Sequence, residues 1–113
     1  MRLAAAVAGD INLTRTRILD ELVGVTASEV DIVAHVWRGS TAPAELECTL
    51  TDSDTGEIEI DFGDYDGWLA NEADAGVWLL EYEITFGSGD LLTLPATWPD
   101  EIAVRDDHDP EVP

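Results

Sequence analysis

The chain has no lysine, and its five basic residues, Arg2, Arg15, Arg17, Arg38 and Arg105, stand against 25 carboxylates for a formal net charge of -20. No basic stripe is available to neutralise phosphates, so nucleic-acid binding is not expected. A single cysteine, Cys48, excludes an internal disulfide and says nothing about redox compartment. It lies on the apolar side of the alternating run Leu46-Glu47-Cys48-Thr49-Leu50, where a thiol acts as a small buried hydrophobe rather than a nucleophile. No apolar run approaches the ~20 residues that cross a bilayer, so no membrane span is expected. The opening MRLAAAVAGD is too short in its apolar part for a signal peptide and reads as a first strand or an ordered arm. Neither Cys48 nor any serine stands in an elbow or glycine-rich motif beside a base, and no two of the many acids are singled out as a glycosidase pair. No enzyme activity and no cofactor are expected.

What is present is carboxylate. At this charge density a compact state repels itself in dilute buffer, whereas at molar salt the Debye length shrinks to ~3 Å and the penalty nearly vanishes. Excess acid together with missing lysine points to a protein built for high salt. The 113 residues, 45% of them hydrophobic, are enough for one domain with one two-layer core.

Period-2 alternation organises that core. From Gly76 onward, Trp78, Leu80, Tyr82, Ile84 and Phe86 share one strand face, while Glu81, Glu83 and Thr85 share the other. Gly87-Ser88-Gly89-Asp90 supplies a tight turn, Leu92 and Leu94 carry the return arm, and Ile102 and Val104 resume the pattern after Pro95 and Pro99 interrupt it. Upstream, Val30, Ile32, Ala34 and Val36 share a face, leaving His35 and Trp37 to point outward or toward a neighbour. Leu46, Cys48 and Leu50 pair as a hairpin with Ile58, Ile60 and Phe62 across the polar turn 52–56. Leu3 to Ala8 and Ile11 to Arg17 both have strand form, and Ile18 to Gly24 fits one or two helical turns or a long loop. About seven short strands without a long helix predict an all-β fold, an antiparallel immunoglobulin-like β-sandwich over residues 1–105, with 106–113 as an acidic flexible tail.

Candidate sites are sparse. Asp52 and Asp54 begin something like a calcium loop, but Gly56 occupies the third ligand position and the bidentate glutamate is missing. Asp61, Asp64 and Asp66 form a second weak oxygen cluster of the kind that 25 carboxylates produce by chance. Neither makes a metal site an expectation. His108 stands among the acids of the tail and reads as a solvated residue. Of four tryptophans, Trp78 reads as core, whereas Trp37, Trp68 and Trp98 are candidate partner contacts, because indole supplies a large area with a polar edge.

A family resemblance rests on turn and strand signals spread along the chain. Ala75-Gly76-Val77-Trp78, Glu83-Ile84-Thr85-Phe86, Gly89-Asp90, Leu92-Thr93-Leu94-Pro95 and Val104-Arg105-Asp106-Asp107 carry its C-terminal half. Gly9-Asp10, Val25-Thr26 before Val30-Asp31-Ile32, and Thr51-Asp52 with Thr55-Gly56-Glu57-Ile58 carry the rest. Together they resemble small immunoglobulin-like proteins of tailed viruses, similar to the N-terminal domain of the baseplate upper protein family; the tryptophan-bearing segment 63–71 departs from that pattern. The resemblance implies a non-enzymatic component of a virion assembled in the host cytoplasm. It would dock against other virion structural proteins in a symmetric tail, baseplate or neck assembly. With the charge, it implies a virus of an extreme halophile. A capsid decoration or turret protein, and a carbohydrate-binding adhesion module, are the alternatives.

Overall fold

The computed structural model describes residues 1–7, 14–39, 44–62 and 76–105. Its strands are β1 (Arg2–Val7), β2 (Thr14–Ile18), β3 (Val30–Trp37), β4 (Ala44–Asp52), β5 (Glu57–Asp61), β6 (Gly76–Phe86), β7 (Leu91–Leu94) and β8 (Asp100–Arg105). The alternation read from the sequence sets their faces. Trp78, Leu80, Tyr82 and Ile84 are buried along β6, Ile32, Ala34 and Val36 along β3, and Ile58 and Ile60 along β5, all within one core cluster. Fully burying a side chain of this size contributes ~1.5–3 kcal/mol, so these faces, not the polar ones, hold the register.

The all-β sandwich is therefore as expected, with one feature of its own. Its strands form a single sheet in the order β1-β8-β6-β3-β4-β5-β2, and β7 also pairs with β6. Strands β7 and β8 run along the same edge of β6, as two pieces of one return arm interrupted by residues 95–99, which include the cis peptide Leu94–Pro95. Counting them as one arm gives the seven strands anticipated. All pairings are antiparallel except β1 with β8.

The sheet curls until its two end strands meet, and there side chains replace the ladder. Arg15 on β2 donates from Nε to the Ala4 carbonyl on β1 at 2.8 Å and from Nη2 to the Ala5 carbonyl. The barrel-like sandwich is thus closed at one seam by a guanidinium.

The connection from β2 to β3 holds two short 3-10 turns, Asp20–Leu22 and Ala27–Glu29, so the helical signal at Ile18 to Gly24 resolves into one turn after the strand has ended. Leu22 is fully buried and plugs that end of the core. The β4–β5 turn is clamped to this segment. Leu19 N–H donates to the Gly56 carbonyl at 2.9 Å, and Gly24 N–H donates to the Ser53 carbonyl at 2.8 Å.

Candidate functional site

Two arrangements carry the chain's polar chemistry, a buried knot at the seam and an acidic outer face. The knot centres on Asp100, which is fully buried. Arg17 donates to it from Nε at 2.6 Å and from Nη2 at 3.2 Å, a bidentate pair, and the Tyr82 hydroxyl donates at 2.7 Å. The amino nitrogen of Met1 lies 3.6 Å from Oδ1. Hydrogen bonding and charge from Asp100 push the Arg17 guanidinium further up from its ordinary value. Burial, then the Asp100 hydrogen bond, push the Tyr82 phenol well up from its own. Neither hydroxyl nor carboxylate reaches solvent, and the knot ties β2, β6 and β8 together.

Composition does not mark Asp100 as an inward residue, but strand parity does, since positions 100, 102 and 104 share a face and Ile102 and Val104 are buried. The same parity places Arg15 and Arg17 on one side of β2, with Thr14, Thr16 and Ile18 exposed on the other. An inward arginine pair opposite an inward aspartate is the missing half of that pattern.

The outer face sets carboxylates in rows, but almost never against each other. His35 faces Glu45 on β4 and Glu81 on β6, and Val33 faces Glu47 and Glu83. Glu59 faces Thr49 and Thr16, and Glu101 faces Leu79. Among the described pairs only Asp52 and Glu57, at the β4–β5 turn, oppose each other directly. Like charges directly opposite are destabilising, and interleaving removes that term while leaving the longer diagonal repulsions, the kind that salt screens. His35 stands between carboxylates, with Nδ1 3.8 Å from Glu45 and Nε2 3.9 Å from Glu83.

The candidate residues fall in different places. Trp98, in the 95–99 interruption, is 81% exposed, and Trp37 is half-buried opposite Leu79. Trp78 is core, with the Arg38 guanidinium 4.9 Å from the centre of its ring. The Asp52 carboxylate accepts a hydrogen bond from the Asp54 N–H at 2.9 Å, a local turn cap. Asp61 lies at the far end of β5 from that turn. Trp68, Asp64, Asp66 and the tail from 106 lie outside the described residues. Among the described residues no three His, Cys, Asp or Glu side chains gather into a metal-sized group, and no helix is long and apolar enough to cross a membrane.

Cys48 is partly buried against the core, and desolvation there pushes its thiol up to about 12. The folded state therefore holds two protons, on Cys48 and Tyr82, that an unfolded chain releases near pH 8.5 and 10 respectively. With folded values raised, stability is fully present below the unfolded values and is lost as pH rises above about 9. The urea midpoint is expected to fall steadily from about pH 8 to pH 11, and less steeply in Cys48→Ala; a midpoint flat over that range would contradict the assignment.

Fold and site together define a small, strongly acidic, nearly closed β-sandwich with a sealed polar core and a charged, aromatic-bearing surface. Comparison of the chain with protein-family profiles, with curated protein sequences and with solved structures found no match.

Proposed function

We propose that the chain is a non-enzymatic structural component of a tailed-virus virion, in the tail, baseplate or neck, acting as a docking module for other virion proteins in a symmetric assembly. The observation that carries this reading is Trp98: a large indole 81% exposed in a connection flanked by paired strands, a residue type enriched at the centres of protein interfaces. The polar groups that are buried and bonded, Asp100, Arg17 and Tyr82, are spent on closing the sandwich, which fits a part selected for its surfaces. The sequence resemblance to small immunoglobulin-like proteins of tailed viruses supports the same reading. It is tested by mass spectrometry of tailed particles purified from cells that carry the gene. The chain in fixed ratio to the major tail protein supports it, and absence from intact particles refutes it.

The -20 charge supports a virus of an extreme halophile. Screening of the diagonal repulsions on the outer face is expected to raise Tm by on the order of 10 °C or more between about 0.1 and 3 M KCl. A Tm unchanged over that range counts against the halophilic origin.

Exposed Trp98 favours one second reading, a carbohydrate-binding module that uses the indole as a stacking platform. Saturable quenching of the monomer's indole fluorescence by oligosaccharides, lost in Trp98→Phe and Trp98→Ala, would favour the sugar; quenching that persists in both variants would remove Trp98 as the platform.

A further inference from the structure

Strand β7, Leu91–Leu94, is the one described strand with no charged residue, and among the described residues only β6 pairs with it. Its ladder to β6 is fixed by the Phe86 N–H bond to the Asp90 carbonyl at 2.9 Å, so alternation turns the backbone groups of Leu92 and Leu94 toward β6. Those of Leu91 and Thr93 point away, and no described strand or loop bonds to them. The Leu91 side chain is 66% exposed. Natural sheets blunt such edges with lysine, inward charge, proline or a covering segment. β7 is short, at four residues followed directly by Pro95, but it carries none of the charge that every other described strand bears.

From this geometry we infer that β7 is a self-pairing edge, at which a second copy of this chain adds its own β7 antiparallel about a two-fold axis. Charge selects the occupant. Elsewhere two copies would bring carboxylate rows together, as on the faces of β3, β4 and β6 that carry Asp31, Glu45, Glu47 and Glu83. The Ala4 and Ala5 carbonyls on the outer side of β1 are already taken by Arg15. β2 also carries no carboxylate, but its free side lies against β1 across those Arg15 bonds, which leaves β7 as the uncharged edge open among the described residues. Register follows from the alternation: an axis at Leu92 sets Leu91 against Thr93 of the second copy and Thr93 against Leu91, so the two outward N–H and two outward C=O groups of each copy are satisfied. The result is a sheet running β6-β7-β7-β6 through two molecules.

Four residues a side bury far less than the ~1,000 Å² that a stable interface needs, so the contact is weak in isolation and requires salt to suppress the remaining repulsion. It deepens the assembly reading by naming a self-contact, and its failure is separable from the failure of that reading. A protein that never self-associates but still enters particles loses only this inference.

The test is sedimentation equilibrium of the full chain at about 3 M KCl over a wide concentration range. The expected result is a concentration-dependent shift from 12.3 kDa toward twice that mass. Thr93→Pro removes an outward donor without touching the β6 ladder, a position where a strand tolerates proline, and Leu91→Lys adds the missing edge charge. Both are expected to keep the wild-type Tm and weaken dimerisation at least tenfold. A wild type that stays monomeric at millimolar concentration overturns the inference. So does dimerisation of wild-type strength in a folded Leu91→Lys, whatever Thr93→Pro does to folding.

Discussion

Arg17→Met is expected to destabilise the fold by about 3–5 kcal/mol, a large part of the roughly 5–15 kcal/mol that holds a domain of this kind together. The substitution keeps much of the apolar stem but removes both charged hydrogen bonds to Asp100, at 2.6 and 3.2 Å. A carboxylate with no solvent exposure is then left with the Tyr82 hydroxyl and the Met1 nitrogen 3.6 Å away. The loss measures an uncompensated buried charge, not the worth of the pair, which could be near zero against an apolar replacement. Two further variants separate these terms. Asp100→Asn in the Arg17→Met background is expected to recover part of the loss, because a neutral amide still accepts from Tyr82; Tyr82→Phe alone should cost about 1–2 kcal/mol. Urea unfolding at high salt reads all three. An Arg17→Met loss under 1 kcal/mol would mean that Asp100 is not held by this pair.

Gly56→Ala is the second large effect, at about 3 kcal/mol or more. The backbone there has φ of +78°, and a Cβ would stand 2.1 Å from the Leu19 carbonyl oxygen. That oxygen belongs to the clamp in which Leu19 N–H donates to the Gly56 carbonyl and Leu22 N–H donates to the Leu19 carbonyl. Neither the turn nor the 3-10 segment moves without breaking those bonds and lifting buried Leu19 and Leu22. Gly24→Ala is the internal control. Its φ of +83° is equally unfavourable, but nothing lies within 4 Å of the added atom, so it should cost only the backbone term, ~1–2 kcal/mol. Equal losses at the two positions would show that the clamp contributes nothing.

The parts of the fold legible in the sequence are those that local periodicity dictates. Strand β5 alternates without interruption and β6 does so from Leu80 onward, and burial alternates residue by residue from Trp78 to Ile84. The β4–β5 hairpin and the turn at 87–90 were readable from glycine and polar residues at fixed spacing. What periodicity could not show is closure. That the first two strands meet through Arg15, and that Arg17 reaches Asp100 across 83 residues of sequence, are non-local facts about side chains. The 3-10 turn at Ala27–Glu29 was also hidden, because three residues without a buried side chain leave no pattern. Of the aromatic candidates, Trp98 stands exposed, while Trp37 is half-covered because its strand position faces Leu79. An indole's neighbours depend on the partner strand, which its own segment does not specify.

We propose that this chain works by contact through its surface. The most direct test is its copy number in purified tailed particles, comparing wild type with Trp98→Ala supplied in its place. With Trp98 81% exposed, its truncation removes little buried area, so the variant should fold with the wild-type Tm. The account predicts wild type at a fixed number per particle and the variant reduced at least tenfold. Wild-type protein missing from intact particles, or a folded Trp98→Ala incorporated at the wild-type level, would contradict it.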